Sequence, residues 1–291
     1  MSNTVTLMAV GDVGPVIEPV DPLCALAKDT LSKADLRFGQ CERVYSERGA
    51  LQLHSGGAHS LVKPSMASIF DTCGFEVVSV ASNHGMDWGA DALLDTVELF
   101  DKKGIKAIGA GSNLEEARKP AFIEKNGVKM AFLAYCSVLN EGYAAGPKKA
   151  GIAPLRARTF YEPVDYQAGV PPRIITTPYE EDLQGMLDDI KAAKQKADVV
   201  IVSIHWGVHF VPRIIADYQV TCAKAAFKAG ADLILGHHAH APKAIGVHDG
   251  KTCFYSLSNF IMSSTAEDAH AAAAWEKKYG TKLDPDYPNL A

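Results

Sequence analysis

Polar side chains that could hold a metal ion stand at the ends of apolar, strand-like runs of this chain. The apolar run that begins LILG predicts a buried strand. Three histidines, His237, His238 and His240, directly follow it in LILGHHAH. A polar residue also stands at or near the end of other apolar runs: Asp12, Glu42, Asn83, His205 and Asn259. Because ligands bind outside the carboxyl ends of strands in open α/β sheets, these side chains should converge. Carboxylates and imidazoles clustered in this way favour a transition-metal site.

Each residue taken alone also has an ordinary structural explanation. Asp12 is compatible with a turn, and His205 with a core histidine whose hydrogen bonds are satisfied. Asn83 and Asp87 are compatible with caps of a helix that begins near residue 89. The combination of these residue types in one chain, each at a strand end, favours the metal site over these alternatives.

The elements that must position these residues can be read from the hydrophobic pattern. Strands are predicted at residues 4–10, 75–81, 129–136, 198–206, 231–236 and 252–260, with a shorter one before Glu42. Helices are predicted at residues 64–74, 89–104, 179–197 and 218–230. Strands that alternate with helices predict an α/β fold.

Residues 137–178 interrupt this alternation, because they are rich in Gly and Pro and have weak periodicity. A long segment of this kind inside a compact domain predicts a lid or a substrate-binding loop. We therefore expect one domain over residues 1–265 that carries this insertion, followed by a C-terminal helix and tail over residues 266–291.

Composition excludes some classes of function. The 291 residues are 47% hydrophobic, with a net charge of -5, so no global basic field exists to bind nucleic acid. The amino terminus has no signal-peptide pattern, and no apolar run approaches the roughly 20 residues of a membrane span. The six cysteines are scattered without a CxxC motif, which is typical of reduced thiols. We expect a soluble, cytoplasmic protein without a membrane anchor; a homo-oligomer is compatible with the sequence.

The order of the motifs resembles that of the CapA family, named for poly-γ-glutamate capsule synthesis, among the calcineurin-like metallophosphoesterases. The matching motifs are GDV, FGQCE, SNHGMDWG, HWG, GHHAH and FYSLSNF. The resemblance extends from about residue 5 to residue 262, apart from the 137–178 segment. It implies a four-layer αββα sandwich with metal ions at the carboxyl ends of the strands.

The resemblance also implies roles for individual residues. One ion would be bound by Glu42, Asn83, His205 and His238, and a second by Asp12, Glu42 and His240, with Glu42 as the bridge. His84 would protonate the leaving group or hold the oxyanion. Asp87 would orient His84 or cap the next helix, and His237 would support the ligands or serve as an alternative ligand.

Two motifs depart from the metallophosphoesterase pattern. Gly14 stands where the Asp-x-His motif has its histidine, and Gln-Cys-Glu replaces Gly-Asp-x-x-Asp. The site around Asp12 therefore has fewer ligands, and we expect it to be weak, completed by substrate, or empty. A two-metal site suits phosphoryl transfer, whereas one strong Lewis-acid site also suits attack on a carbonyl group.

Candidates for contacting the substrate flank these motifs. They are His54, His59, Lys63, Arg156, Arg158, Trp206 and Arg213. The basic ones could receive a carboxylate or a phosphate, and Trp206 could form a wall of the site. Solvated loop or surface positions are the alternative for the others.

These observations predict a metal-dependent hydrolase that contains one or two Mn, Fe or Zn ions. Metal-bound hydroxide would attack the amide or ester carbonyl of a small anionic substrate or a γ-glutamyl-type bond, and His84 would serve as general acid. Lyase chemistry with the same metal stays open. The alternatives are a phosphoesterase and a non-catalytic accessory protein that handles a glutamyl polymer.

Overall fold

A computed structural model describes residues 4–55, 61–165, 169–170, 172–211 and 213–263. Its strands are β1 (Leu7–Gly14), β2 (Leu36–Cys41), β3 (Val44–Tyr45), β4 (Leu61–Val62), β5 (Val77–Ser79), β6 (Lys106–Ile108), β7 (Ala110–Gly111), β8 (Ala121–Lys125), β9 (Val128–Cys136), β10 (Gly151–Ile152), β11 (Ala157–Pro163), β12 (Pro172–Pro178), β13 (Val199–His205), β14 (Leu233–His237), β15 (Ile245–His248), β16 (Lys251–Phe254) and β17 (Asn259–Met262). Its helices are α1 (Ala25–Leu31), α2 (Ser68–Cys73), α3 (Gly89–Lys102), α4 (Leu114–Ala117), α5 (Glu180–Lys194) and α6 (Asp217–Ala229).

Two larger sheets form the centre of the protein. The first has the strand order β17-β1-β2-β5-β6, and all its neighbouring strands are parallel. The second has the order β15-β16-β14-β13-β9-β8, with parallel inner strands and antiparallel edge strands β15 and β8. Because the inner strands run parallel within each sheet, their carboxyl ends, and the residues that follow them, lie together.

The sheets pack face to face, and helices cover their outer faces. Phe38 of β2 stacks on Phe132 of β9 across the interface, with ring centroids 6.2 Å apart. On β13 the side chains alternate: Ile201 lies in the core shared by the two sheets, while Val200 and Val202 lie in a second core with α5 and α6. Helices α2 and α3 contribute to the first core from the other side. The α/β class and the four-layer αββα arrangement are confirmed.

Some elements differ from the pattern-based prediction. The apolar run at residues 252–260 is divided between β16 in the second sheet and β17 in the first. Within residues 137–178 the structure contains the short strand β10 and the hairpin of β11 and β12. The role of this segment as a lid stays a prediction. His59 and the tail at 266–291 lie outside the described residues.

Candidate metal centre

Two buried carboxylates form the middle of the candidate site. Asp12 lies near the end of β1 and Glu42 follows β2, and both are fully buried. Both Asp12 carboxylate oxygens and Glu42 Oε1 have no hydrogen-bond partner among the described residues. A buried carboxylate without a partner is costly unless a cation or a hydrogen bond compensates it. This arrangement therefore fits a metal ion between the two carboxylates.

Close packing of backbone places Asp12 at this point. The Asp12 N–H donates to the Ser258 carbonyl at 2.9 Å, beside the pairing of β1 with β17. A Cβ atom on the preceding residue, Gly11, would lie 1.8 Å from the Ser258 oxygen. Only glycine therefore allows β1 to approach closely enough to carry Asp12 into the site.

The residues expected to bind the first ion lie together. Asn83 Oδ1 lies 2.7 Å from His205 Nε2 and 3.3 Å from His238 Nδ1. His205 Nε2 in turn lies 3.7 Å from Glu42 Oε2. Ligand atoms that each lie about 2.0–2.2 Å from a shared ion are roughly 3–4 Å apart. Small side-chain adjustments would bring these four residues around one ion.

The residues expected to bind the second ion are also close, and His237 joins them. His240 Nδ1 and His237 Nδ1 each lie 3.6 Å from an Asp12 carboxylate oxygen. His240 Nε2 lies 4.0 Å from Glu42 Oε1. Ligand atoms of Asp12, Glu42 and His205 all lie within 4.8 Å of one another. Glu42 thus lies between the two groups, and His237 lies beside Asp12; their roles as bridging and alternative ligand stay predictions.

His84 lies at the edge of this cluster in a fixed orientation. Its Nδ1 is 2.7 Å from Asp87 Oδ2, and the Tyr143 hydroxyl donates to Asp87 Oδ1 at 2.9 Å. His84 Nε2 lies 3.9 Å from Glu42 Oε1. The N-cap residue of α3 is Trp88, whose side chain makes no capping hydrogen bond. The contact between Asp87 and His84 is compatible with the orienting role, which stays a prediction.

Burial favours the uncharged form of every titratable group in the cluster. Desolvation raises the pKa of Asp12 to about 8, and burial followed by repulsion from Asp12 raises the pKa of Glu42 well above its usual value. Burial lowers the pKa of His84 and of His237 to about 3, and it lowers the pKa values of His205, His238 and His240 as well. Neutral imidazoles are the form that binds metals, and a cation would favour ionised carboxylates.

These pKa shifts predict how the stability of the metal-free protein depends on pH. Folded Asp12 keeps its proton up to about pH 8, whereas the unfolded side chain loses it near 3.8, so stability falls as pH rises through this window. The buried histidines have folded pKa values below 6.5, so stability also falls as pH drops below that value. Urea unfolding should therefore show a maximum near about pH 6.5 and a loss by about pH 8.

Asp12→Asn is the matched variant for this measurement. An asparagine does not ionise, so the loss of stability above about pH 6.5 should become smaller in this variant. Equal stability of the wild-type metal-free protein at pH 6.5 and pH 8 would contradict the burial argument.

The backbone at two of the candidate ligands is left-handed. His238 has φ 85° and His240 has φ 51°, which L-residues other than glycine adopt at a cost. Such conformations are concentrated at functional sites, where surrounding structure holds them. Here the turn after β14 directs both imidazoles toward Asp12 and Asn83.

This conformation predicts different stabilities for two substitutions that remove the same imidazole. The metal-free His238→Gly variant should be more stable than His238→Ala by about 1–2 kcal/mol in urea unfolding, because glycine adopts positive φ without strain. His205 lies within the extended strand β13, so the order should reverse there, with His205→Ala more stable than His205→Gly by about 0.5–1 kcal/mol. The same order at both positions would show that the left-handed backbone at His238 is not strained.

Two of the residues expected to contact the substrate are engaged elsewhere in the fold. Trp206 is fully buried in the helix-side core, where its Nε1 donates to the Tyr255 carbonyl, so the expectation that it walls the site is corrected. Arg156 forms two hydrogen bonds to Asp182 at 2.7 and 2.8 Å and serves to anchor α5. Its guanidinium is therefore occupied.

The other expected contacts lie on the surface or are not described. Arg158 is exposed and lies over the Tyr179 ring, 4.1 Å from its centroid. Lys63 is exposed and pairs with Glu18 at 3.2 Å, and Arg213 is exposed. The backbone of His54 lies in a short 3-10 helix, Leu53–Ser55, but its side chain lies outside the described part of the structure. Within that described part, no contact places any of these residues at the metal ligands.

The structure places further residues beside the candidate ligands: Asn259, which the strand-end pattern included, and Ser82 and His209, which it did not. Asn259 Oδ1 lies 2.5 Å from His240 Nδ1, and Ser82 donates to Glu42 Oε2 at 3.1 Å. Such partners orient ligands and tune their basicity. His209 stacks on His238 with ring centroids 4.5 Å apart, four residues after His205. Only Asn259, at the end of an apolar run, had a signal in the sequence; Ser82 and His209 had none beyond proximity to a motif.

The fold is a four-layer αββα sandwich, and the ends of its strands carry buried carboxylates and imidazoles. The chain belongs to the family of the bacterial capsule synthesis protein PGA_cap, whose family model matches residues 6–264. The resemblance to CapA proteins is thereby confirmed.

Individual relatives agree with this assignment. The PGA biosynthesis protein CapA of Bacillus subtilis is 30% identical over 227 residues, which are 77% of this chain and 53% of that protein. The capsule biosynthesis protein CapA of Bacillus anthracis is 28% identical over 204 residues, 70% of this chain and 44% of that protein. The chain thus spans about half the length of these curated relatives.

One solved structure shows a similar fold. A hypothetical protein from Thermus thermophilus has a TM-score of 0.50 at 12% identity, covering 96% of this chain and 86% of that one. This likeness concerns the fold alone.

Within the described residues, no helix has the length and apolar character needed to cross a membrane.

Proposed function

We propose that the protein is a metal-dependent hydrolase that cleaves a carbonyl bond, with an amide of the γ-glutamyl type as the first substrate class to test. The observation that carries this proposal is the pair of buried carboxylates, Asp12 and Glu42, facing buried neutral imidazoles. Glu42, Asn83, His205 and His238 would hold one divalent ion, and Asp12, Glu42 and His240 a second. A bound ion would polarise the scissile carbonyl and lower the pKa of a coordinated water.

The protein's own residues would do the remaining work. His84 Nδ1 is held by Asp87, and its Nε2 atom lies 3.0 Å from Asn83 Nδ2 and 3.9 Å from Glu42 Oε1. The neutral ring would accept a proton at Nε2 from the attacking water and pass it to the leaving group. Asn259 fixes the ring of His240, and Ser82 fixes the carboxylate of Glu42. Burial of the ligands excludes competing water and strengthens electrostatic interactions at the reacting bond.

Two other functions remain in competition. A phosphoesterase is favoured by the two groups of candidate ligands bridged by Glu42, because two ions stabilise an in-line displacement at phosphorus. A non-catalytic accessory role in handling a glutamyl polymer is suggested by the names of the CapA relatives, which describe biosynthesis.

One set of assays separates these functions. The protein is loaded with Mn, Fe or Zn and incubated with a γ-glutamyl oligomer, a carboxylic ester and a phosphate monoester. The proposal predicts cleavage of the γ-glutamyl amide or of the ester, and loss of that cleavage together with the metal in His205→Ala. Cleavage of the phosphate ester alone would favour the phosphoesterase. A metal-loaded protein that cleaves none of the three would favour the accessory role.

A further inference from the structure

Arg43 lies directly beside the candidate metal centre. It follows Glu42 in the sequence, in the short connection between β2 and β3, and it is half-buried. The Arg43 carbonyl accepts a hydrogen bond from Cys41 Sγ at 3.0 Å, which helps to hold this connection in place. The guanidinium always carries a positive charge, unlike the imidazoles around it.

The stem of Arg43 lies over Gly14. A Cβ atom added at Gly14 would be 2.9 Å from Arg43 Cγ, 3.0 Å from Met262 Sδ and 3.2 Å from Glu42 Cβ. The space where a side chain at position 14 would lie is therefore taken by Arg43, Met262 and Glu42. Gly14 thus leaves room for the stem of Arg43 next to Glu42.

The charge of Arg43 reaches groups on three separate elements of the site. Burial is the main cause of the pKa shifts of Glu42, His84 and His240; the Arg43 charge partly offsets the rise for Glu42 and adds to the lowering for the two histidines. These residues follow β2, β5 and β14 respectively, so the charge of Arg43 acts on three separate parts of the cluster.

The net charge of the metal-loaded site would then favour the binding of an anion. One divalent ion and Arg43 together would neutralise the carboxylates Asp12, Glu42 and Asp87, and a second ion would leave the site positive. A planar guanidinium is suited to binding a carboxylate or phosphate group through two hydrogen bonds. In the described part of the chain, no contact links the exposed lysines and arginines first considered for this role to the candidate ligands, whereas Arg43 directly follows Glu42 and its stem lies beside Gly14.

We propose that Arg43 is the anion-binding residue of this site and selects substrates that carry a carboxylate or phosphate group next to the bond that reacts. The proposal rests on the proposed function for its substrate. Its chemistry, the binding of an oxyanion beside the metal ligands, can be tested without turnover.

The test is calorimetric titration of inorganic phosphate and, separately, of L-glutamate into the full chain, both metal-free and loaded with Mn. Arg43→Met keeps an apolar stem but removes the charge, and it should weaken the binding of at least one anion by roughly 10- to 100-fold. Arg43→Lys keeps the charge without the planar fork and should show a smaller loss. Arg48→Met is the matched control, since Arg48 is an exposed arginine of the same segment that pairs with Asp95. This variant should bind phosphate and L-glutamate with the affinity of the wild type.

The outcomes separate this inference from the proposed function. An Arg43-dependent loss for phosphate alone, for glutamate alone, or for both supports the inference and identifies the anionic group. Wild-type protein that binds neither anion, or Arg43→Met that binds both as tightly as wild type, overturns it. Metal content is measured on the same samples. If the protein takes up no metal but its anion binding still depends on Arg43, the proposed hydrolase function is overturned and the anion site is supported.

Discussion

Replacing Glu42 by glutamine should abolish metal binding while making the metal-free protein more stable near pH 8. Glu42 contacts both groups of candidate ligands, through His205 at 3.7 Å and His240 at 4.0 Å. Loss of a residue that merely supports a ligand costs 10- to 100-fold in affinity, so loss of the bridging carboxylate should cost at least about 100-fold. The gain in stability follows because glutamine removes a buried ionisable group that is repelled by Asp12.

The measurement combines metal titration with urea unfolding of the metal-free protein. Glu47→Gln is the control, because Glu47 is an exposed carboxylate of the same segment, and it should leave both quantities unchanged. A Glu42→Gln variant that binds metal as tightly as wild type would remove Glu42 from the ligand set. A variant that binds weakly but is also less stable would show that Glu42 is held by compensating partners in the folded state.

The second large effect concerns His84. His84→Ala should lower kcat by roughly 10²- to 10⁴-fold while bound metal stays at the wild-type level. The reason is geometric. His84 Nε2 faces the candidate ligands, whereas Nδ1, the other ring nitrogen, lies 2.7 Å from Asp87 Oδ2. Metal content and kcat for the substrate identified by the assays above are the two readouts.

Two further variants sharpen this experiment. Asp87→Asn should lower kcat by less than His84→Ala, because the imidazole remains but its orientation is weakened. Tyr143→Phe removes the hydroxyl that donates to Asp87 and leaves the contact between His84 and Asp87 intact, so its effect should be the smallest of the three. Loss of metal in His84→Ala would instead make His84 a ligand, and unchanged kcat would remove it from the reaction.

The convergence of the site was predictable because parallel strands bring their carboxyl ends together. Asp12, His205 and His237 each end or nearly end an apolar run, and the structure confirms that those runs are β1, β13 and β14. The boundaries shift by a few residues: the run at 4–10 became Leu7–Gly14, which includes Asp12 itself.

Other features were not predictable from local pattern. The single apolar run at residues 252–260 contributes strands to two different sheets, and Ser258, with φ 62°, lies at the crossing between them. Periodicity reports burial and cannot show on which of two facing sheets a strand pairs. That division is what places Asn259 beside His240.

The supporting residues depend on contacts distant in sequence. Tyr143 reaches Asp87 from the segment that the composition marked as a loop, and Arg43 packs over Gly14 from the neighbouring strand end. Conversely, Arg156 stood out in a basic stretch, yet Asp182 on α5 occupies it. Residue type indicated the ligands, but only the fold could show which charged side chains are near them.

The central claim is that the buried carboxylates and imidazoles hold a metal ion. Elemental analysis of protein purified without added metal, and again after reconstitution, tests it most directly on wild type, His238→Ala and the control His248→Ala, whose imidazole contacts Tyr255 outside the site. We predict about one or two equivalents of Mn, Fe or Zn in wild type and in His248→Ala, and a clear loss in His238→Ala. Wild-type protein that contains no metal even after reconstitution, or His238→Ala that retains it in full, would contradict the account.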